Sequence, residues 1–286
     1  MKDRKKHILN RIKCSFIRAL KRTWVYLVLI SSIATIIGIV GFEHILEEIT
    51  ERVILVVIIV CVAFLFAFFV EFFKRKININ LGNGRLGIIK YGYLFSERNK
   101  GVIIVPFNRY FDTLVNGAVI SEKSIAGQFI KEKFAGNSEE LNGLIADQLK
   151  DATFNTISNK RNGKKDKYDI GKVVKISKDG NDYFCVATTD VDIESNKSKA
   201  DIDMLHVSLS ILLKTIDEEA NGRDVYMPVL GTGFSRLGKD KQTILEYIIA
   251  FFRANDDKLK SKLHIILLES ECELFDLSKI RVKMEN

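Results

Sequence analysis

Two short stretches of the sequence join a strand-like apolar run to residues that could bind a phosphate. The stretch VYMPVLGTGF (residues 225–234) ends in a Gly-Thr-Gly turn. Glycines at such a turn let backbone N–H groups approach a ligand, and a following helix N-terminus favours an anion. The stretch VIIVPFNRYFD (residues 102–112) contains Asn108, whose side-chain amide both donates and accepts hydrogen bonds. Ligands of open α/β sheets bind beyond the carboxyl ends of strands, so we expect both stretches to line one cleft.

The elements that must position these residues alternate between β-rich runs and helical patterns from residue 77 onward. Predicted strands cover residues 86–91, 102–107, 172–176, 183–188, 225–230 and 263–268. Predicted helices cover residues 124–134, 138–152, 199–220 and 241–253. This order predicts a single α/β domain with a mixed, largely covered sheet. Between these elements, the lysine-rich stretch 159–167 is predicted to be an exposed, solvated loop.

The charge of the chain is unevenly distributed and excludes two classes of site. Residues 1–76 contain 13 Lys and Arg against 6 Asp and Glu, whereas the remaining residues contain 31 against 30. A nucleic-acid-binding domain is expected to carry a basic patch of its own, so nucleic acid is not a predicted partner. The four cysteines and four histidines lack the spacing of a zinc site, so no metal ion is predicted.

Two long apolar runs predict a transmembrane hairpin within residues 23–76. The first run covers residues 24–42 and the second covers residues 53–73, interrupted only by Glu71. Each approaches the ~20 apolar residues that a helix needs to cross a bilayer. A pair of buried helices of a soluble domain is the alternative, and the uniform apolarity of both runs argues against it.

Flanking charges predict that both ends of the hairpin face the cytoplasm. Residues 1–22 carry nine Lys and Arg with a single Asp, and Lys74, Arg75 and Lys76 follow the second run. The segment between the runs contains four Glu, so the positive-inside rule places it on the far side. Residues 1–22 are expected to form a basic amphipathic segment on the cytoplasmic face of the bilayer. A solvated basic tail is the alternative, and residues 77–286 are expected to form the cytoplasmic domain.

The two ligand stretches resemble the ligand loops of a macro domain, the fold that recognises ADP-ribose and its derivatives. Macro domains carry a strand of the type V-N-A-A-N before a loop and a helix, and a later strand that ends in S-x-G-x-[YF]. VPFN places Asn108 at the asparagine, SIAGQFI supplies the helix start, and PVLGTGF matches the second loop. The resemblance spans about residues 77–269. It implies a macro-domain-like α/β fold with a mixed sheet, which would follow the N-terminal two-helix transmembrane hairpin that the apolar runs predict.

The resemblance implies a set of ligand-binding residues and no catalytic residue, metal ion or cofactor. KYGYLF resembles the stretch whose aspartate contacts the adenine amino group, which makes Tyr93 and Leu94 the adenine region. Tyr93 replaces that aspartate, and the usual glycine run of the first loop is absent. The strand end 188–190 is expected to rim the cleft. The expected contacts to an ADP-ribose derivative are Asn108, Arg109, Ser124, Gly127, Gly231, Thr232, Gly233 and Phe234.

Each of these residues also has a purely structural alternative. Asn108 could cap a turn, and Ser124 with Gly127 could cap a helix. Gly231 and Gly233 could serve a tight connection without a ligand, and Arg109 could be a solvated residue at the rim.

The hairpin joined to a divergent macro domain is similar to the membrane-anchored effector of Thoeris anti-phage defence systems. That resemblance implies a multi-pass protein of the bacterial inner membrane with both termini in the cytoplasm. It implies that a partner TIR-domain enzyme consumes NAD and makes the signal, expected to be histidine-linked ADP-ribose. Signal binding is expected to drive homo-oligomerisation, and the oligomer is expected to disrupt the lipid bilayer.

Three other functions remain as alternatives. A membrane-anchored ADP-ribosyl hydrolase would use Asp112 and Asn108 on the first loop, with Lys90 near the adenine end. A nucleotide triphosphatase would use the near-match GFSRLGKD, where Asp240 stands in place of the hydroxyl that holds Mg²⁺. A structural membrane subunit would bind no nucleotide. A binding effector accounts best for the joining of a hairpin to a ligand domain.

Overall fold

The computed structural model describes residues 9, 12–13, 15–20, 22–28, 31, 49–73, 75–82, 85–231, 238–277 and 280. The chain divides into two compact units. The first comprises Met1–Arg75 with Glu269–Glu273, and the second comprises Lys76–Leu268 with Leu274–Asn286. All the strands that the structure describes lie in the second unit.

Among its described residues, the first unit contains the long helix α1 (Ile49–Phe73), and the described residues between 9 and 28 are also helical. Most of the first predicted span, residues 24–42, lies outside the described residues. Crossing a bilayer takes about 20 consecutive apolar residues. In the part of the chain that the structure describes, no helix combines that length with that apolarity. This finding leaves the predicted hairpin without support and contradicts the predicted location as a multi-pass inner-membrane protein.

The second unit is built on a mixed sheet with the strand order β1-β2-β10-β9-β3-β7-β6. Five neighbouring strands (β2, β10, β9, β3 and β7) are parallel, while β1 and β6 pair antiparallel at the two edges. The short β8 pairs with β7, and β4 pairs with β5 in a separate two-stranded sheet. The strands are β1 (Lys76–Asn80), β2 (Leu86–Tyr91), β3 (Val102–Asn108), β4 (Asn155–Thr156), β5 (Asp166–Lys167), β6 (Val173–Lys178), β7 (Asn181–Val191), β8 (Ser198–Lys199), β9 (Val225–Pro228) and β10 (Leu263–Leu267).

Helices cover both faces of this sheet, which explains why its central strands are apolar throughout. On β3, Val102 and Ile104 belong to one core, while Ile103, Val105 and Phe107 belong to the other. The first core is closed by α4 (Ile202–Glu219) and α5 (Lys241–Ala254), and the second by α2 (Ile125–Lys133) and α3 (Ser138–Leu149). The predicted macro-domain-like α/β fold with a mixed sheet is confirmed in its α/β part.

The lysine-rich stretch 159–167 is not the fully solvated loop that its composition predicts. Lys160 is only 3 % exposed, and Asp166–Lys167 forms β5. The carboxylate of Asp112, which is 2 % exposed, pairs with the buried ammonium group of Lys160. Lys160 is buried because it pairs with Asp112, which lies far away in the sequence. Composition alone therefore predicts the wrong environment for Lys160.

A polar cluster lies on the Tyr226 side of the sheet, near the start of β9 and β10. Nε2 of His264 is 2.8 Å from Oδ2 of Asp224, and the His264 ring stacks on Tyr226 with centroids 4.5 Å apart. Nζ of Lys90 lies 5.0 Å from the centroid of the Tyr226 ring. Burial lowers the pKa of His264 below its ordinary value, although Asp224 opposes this shift. Burial therefore favours the neutral form of His264 more in the folded chain than in the unfolded chain.

We expect the free energy of unfolding to decrease as the pH falls below about 6.5, the ordinary pKa of histidine. Between the lowered pKa of His264 and that value, the unfolded chain binds more protons than the folded chain, so stability rises with pH in this window. Urea unfolding at several pH values, compared between the unaltered chain and His264→Gln, checks this expectation. The variant should show a smaller slope, and exposed His206→Gln should keep the full slope. Equal slopes in the unaltered chain and His264→Gln would contradict it.

Candidate functional site

The two predicted ligand turns lie at the same edge of the sheet. Asn108 is the last residue of β3, and Gly231 follows the end of β9 by three residues. β3 and β9 are neighbouring parallel strands, so their carboxyl ends lie at the same edge of the sheet. Gly231 has φ +80°, a backbone conformation that glycine adopts without the steric cost of a side chain. This edge is where open α/β sheets bind ligands.

The hydrogen-bonded ladder between β3 and β9 stops well short of that edge. Its register contains two pairs, Val102 with Val225 and Ile103 with Tyr226. On the other side of β3, the ladder to β7 continues along the whole strand to Asn108. The two prolines of the chain, Pro106 and Pro228, both lie beyond the last β3–β9 pair.

The side chain of Asn108 organises the turn that follows β3. Its Oδ1 accepts hydrogen bonds from the backbone N–H groups of Tyr110 (3.1 Å) and Asp112 (3.3 Å). Its Nδ2 donates to Oδ2 of Asp112 at 3.0 Å. Oδ1 thus serves the protein itself, and one Nδ2 hydrogen has no partner among the described residues. In the structure, the side chain of Asn108 caps the turn, as the structural alternative to ligand binding predicts.

A buried ion pair closes this turn from outside. Nζ of Lys160 is 3.1 Å from Oδ2 of Asp112, and the backbone N–H of Lys164 donates to Oδ1 of Asp112 at 2.6 Å. Lys160 also donates to the carbonyl of Asn162. Gly163 allows this wrap, because a Cβ atom there would lie 2.2 Å from Oδ1 of Asp112. Asp112 is therefore enclosed, and it cannot act as an accessible general base without opening this loop.

Arg109 is held at the carboxyl end of β7. Its Nε donates to the carbonyl of Tyr168 at 2.6 Å, and its guanidinium lies 3.3 Å from Asp190. Asp190 also pairs with Lys167 at 2.7 Å. The backbone N–H of Arg109 donates to the carbonyl of Thr189 at 2.8 Å. These contacts tie the Asn108 turn to the strand end 188–190, but the guanidinium is already partnered by Asp190.

The N-terminus of α2 begins at Ser124 and depends on Gly127. Oγ of Ser124 accepts a hydrogen bond from the backbone N–H of Gly127 at 3.0 Å and donates to the carbonyl of Ser121 at 2.7 Å. A Cβ atom at residue 127 would lie 2.2 Å from that same carbonyl oxygen. Both predicted contacts are thus used in capping the helix, while the N–H groups of Ile125 and Ala126 have no backbone partner among the described residues.

We expect Gly127→Ala to lower the free energy of unfolding by about 1–3 kcal/mol, because the new Cβ atom must displace backbone atoms of Ser121. Alanine normally stabilises a helix relative to glycine by about 1 kcal/mol, so the expected sign is reversed. Gly143 in α3 offers a matched control, since a Cβ atom there meets nothing within 4 Å. Gly143→Ala should stabilise the chain. Urea unfolding of both variants checks the prediction, and stabilisation by both would contradict it.

The adenine region is built differently from the expectation. The hydroxyl of Tyr93 donates to Oε1 of Glu132 on α2, and the side chain of Leu94 is buried in the core. Buried Asn99 donates from Nδ2 to the carbonyls of Tyr93 (3.1 Å) and Leu94 (2.8 Å). Its Oδ1 accepts a hydrogen bond from Nζ of Lys90 at 3.0 Å. Tyr93 therefore lies beside a carboxylate, while neither the side chain nor the carbonyl of Leu94 is free for a ligand.

The structure thus unites some predicted residues and adds others. Asn108, Arg109 and Gly231 lie at or next to the carboxyl edge, while Ser124 and Gly127 lie at the N-terminus of α2. Thr232, Gly233 and Phe234 lie outside the described residues. Sequence reasoning missed Lys160, Gly163 and Asn99 as residues that shape the edge. The Asn-Gly pair at 162–163 was the available signal for a tight turn, but nothing local pointed to its partner Asp112.

Comparison with known families decides the relationship of the chain. The model of the family described as "Thoeris protein ThsA, Macro domain" matches residues 88–268, which is more than half of the chain. The chain belongs to the ThsA macro-domain family. The matched residues run from β2 to the end of β10, so the ThsA macro domain includes both ligand turns described above.

Individual relatives are more distant. The Thoeris protein ThsA of Bacillus amyloliquefaciens (strain Y2) is 28 % identical over 166 residues, which cover 57 % of this chain and 54 % of the relative. The chain thus spans about half the length of this relative of the ThsA macro-domain family. This partial coverage means that the activity of the whole relative does not transfer directly to the chain.

Solved macro domains resemble the chain only weakly. An Oceanobacillus iheyensis macrodomain with ADP is 14 % identical, with a TM-score of 0.44, and the match covers 70 % of this chain and 92 % of that one. An asparagine-to-alanine mutant of the same macrodomain gives a TM-score of 0.45 at 14 % identity, covering 70 % and 88 %. Similarities this low carry no argument about the ligand, and the assignment to the ThsA macro-domain family rests on the family match.

Proposed function

We propose that the chain is a nucleotide-sensing effector of a Thoeris anti-phage system, and that its carboxyl edge binds an ADP-ribose-derived signal. The observation that carries the proposal is the placement of the Asn108 and Gly231 turns at the ends of neighbouring parallel strands. The membership in the ThsA macro-domain family supports the Thoeris context. The proposed signal is histidine-linked ADP-ribose made by a partner TIR-domain enzyme that consumes NAD.

The chemistry of the edge suits a diphosphate held by backbone and amide groups. Gly231 at positive φ and the unpartnered N–H groups of Ile125 and Ala126 offer donors without side-chain bulk. One Nδ2 hydrogen of Asn108 adds a further donor. Lys164 lies next to the Asn108 turn, where its backbone N–H donates to Asp112, and burial lowers the pKa of its ammonium group to about 8. Thr232, Gly233 and Phe234 stay proposed contacts of the same ligand, with Arg109, Ser124 and Gly127 shaping the wall around it.

Binding is better supported than hydrolysis of the ADP-ribose derivative. A hydrolase of this architecture needs a positioned, accessible base to orient water. Asp112 is enclosed by Lys160 and Lys164, and Lys90 is held by Asn99. Asn108 uses Oδ1 for two backbone groups of its own turn. These contacts leave the carboxylate proposed for hydrolysis without access to a substrate.

Titration calorimetry on the 286-residue chain tests the binding proposal. We expect ADP-ribose and histidine-linked ADP-ribose to bind, and AMP to bind more weakly because it lacks the diphosphate. Gly231→Ala should lower the affinity about tenfold or more, since a side chain at positive φ distorts the turn. Gly222→Ala is the matched control, because Gly222 has φ +72°, no neighbour within 4 Å of a Cβ atom, and lies before the amino end of β9.

Two outcomes would contradict the proposal. Absence of heat with every ADP-ribose ligand would remove the sensing function. Release of free ADP-ribose or free histidine from the conjugate during incubation, detected by chromatography, would instead favour the hydrolase.

The proposal includes self-association of copies when the signal binds. A ligand shifts such an equilibrium only by the difference between its affinities for the two forms. Light scattering of the 286-residue chain with and without the histidine conjugate measures the mass directly. An unchanged mass at saturating ligand would remove this part of the proposal. Bilayer disruption is not included, because no described helix can cross a membrane.

A further inference from the structure

The segment between β3 and β9 at the carboxyl edge, called here the β3–β9 seam, comprises residues 104–108 facing residues 227–230. It begins where the ladder stops, after the pairs Val102–Val225 and Ile103–Tyr226. Elsewhere among the described parallel pairs, β10 makes four pairs with β2 and four with β9, and β3 makes seven with β7. The β3–β9 ladder is thus the shortest of these parallel ladders, and it stops before the point where the two ligand turns begin.

The direction of the backbone groups explains where this ladder stops. The N–H of Val102 donates to the carbonyl of Asp224 on the β9 side, and successive residues of a strand direct their N–H groups to opposite neighbours. Positions 104 and 106 therefore also direct their backbone nitrogens toward β9. The N–H of Val225 donates to Lys262 on the β10 side, so positions 226 and 228 direct their nitrogens toward β3.

The next two donors of the ladder would come from prolines. Continuing the register, position 228 would donate to the carbonyl of Ile104, and position 106 would donate to the carbonyl of residue 228. Proline has no N–H group. Pro228 and Pro106 remove consecutive donors from opposite sides of the seam, and the chain contains no other proline. Prolines are normally excluded from central strands for this reason, so this pair calls for a role at this edge.

A second irregularity accompanies the first on the other side of β3. The register with β7 shifts between Phe107 and Asn108, so that Asn108 pairs with Thr189. Bulges of this kind re-aim the strand end and are frequent beside ligand sites. Pairing with β7 therefore sets the direction of the Asn108 turn, and no ladder hydrogen bond among the described residues joins this turn to β9.

We propose that Pro106 and Pro228 keep the β3–β9 seam open, and that this opening admits the phosphates of the bound nucleotide between the Asn108 and Gly231 turns. The inference rests on the proposed function for the identity of the ligand. Both prolines are positioning residues, because they act through the spacing of the two turns.

Replacing the prolines by valine restores the missing donors and tests this role. Pro106→Val and Pro228→Val each supply one N–H group, and the double variant supplies both. We expect the double variant to bind ADP-ribose about tenfold more weakly or worse, with an unfolding midpoint that is unchanged or raised. The new amides at positions 106 and 228 should exchange slowly with deuterium, because the extended ladder protects them.

A merely structural role for the prolines predicts the opposite pattern. Loss of proline would then lower stability, because the unfolded chain gains conformational freedom, and affinity would not change. Ile103→Val is the matched control, since residue 103 lies on β3 but directs its N–H toward β7. It should leave affinity unchanged.

Failures of the two proposals are distinguishable. Unchanged affinity in the double variant overturns the inference, as do freely exchanging amides at 106 and 228. If the unaltered chain binds no ADP-ribose ligand, the proposed function fails. In that case the proposed role of the prolines in admitting phosphates is overturned as well. Amide exchange in the proline variants still shows whether the prolines hold the seam open. Pro106→Ala adds the same donor with a smaller side chain, which covers the case in which valine prevents folding.

Discussion

Replacing Lys160 by methionine is expected to lower the free energy of unfolding by about 3–5 kcal/mol, because a buried carboxylate loses its ion-pair partner. The side chains of Lys160 and Asp112 are only 1 % and 2 % exposed, so water cannot replace the lost contact. The backbone N–H of Lys164 and the amide of Asn108 still contact Asp112, but neither carries a charge. Urea unfolding of the unaltered chain and Lys160→Met measures the difference.

Lys165→Met provides a control on the same loop, since Lys165 is exposed. It should change stability by less than about 0.5 kcal/mol. Adding Asp112→Asn to Lys160→Met should recover part of the loss, because the double variant contains no unpaired buried charge. A loss of less than about 1 kcal/mol in Lys160→Met would mean that the loop opens to solvent and that Asp112 is accessible. That result would also reopen the hydrolase alternative.

Phe129→Ala is the second substitution with a large expected effect, about 3–5 kcal/mol of lost stability. Phe129 is fully buried on α2, where its ring lies 4.8 Å from that of Tyr183 and 5.4 Å from that of Phe134. Further aromatic contacts reach Phe95 and Phe107 on the same side of the sheet. Truncation removes these contacts and leaves a cavity between α2 and the sheet.

Thermal and urea unfolding of Phe129→Ala measure this loss, with Phe154→Ala as the control. Phe154 is 51 % exposed and its ring contacts that of Tyr168 at 5.8 Å, so its truncation should cost less than about 1 kcal/mol. Equal losses in the two variants would indicate that α2 packs far less tightly than the aromatic contacts imply. Ser124 caps the N-terminus of α2, so the docking of α2 also determines the position of that helix end.

The architecture of the second unit could be predicted because local patterns agree with the fold. The continuous apolar runs at 102–107 and 225–230 predict buried parallel strands, and the spacing of apolar residues in 199–220 and 241–253 predicts covering helices. The turn residues Asn108 and Gly231 were likewise visible, since asparagine and glycine have specific roles where a strand ends. The membrane prediction failed on the same kind of evidence. Apolar runs indicate burial away from water, and among the described residues no helix is long and apolar enough to cross a bilayer.

The sequence by itself determined the α/β class, the positions of most strands and helices, and the two turns that carry the candidate site. These follow from backbone preferences and from hydrophobic periodicity, which act over a few residues. Only the tertiary structure decided that Lys160 is buried against Asp112, and that Asn99 rather than a ligand holds the carbonyls of the adenine region. It also decided that the nitrogens of Pro106 and Pro228 face one seam. Each depends on residues at least five positions and up to more than a hundred positions apart, and pairing at such distance is set by strand order and register.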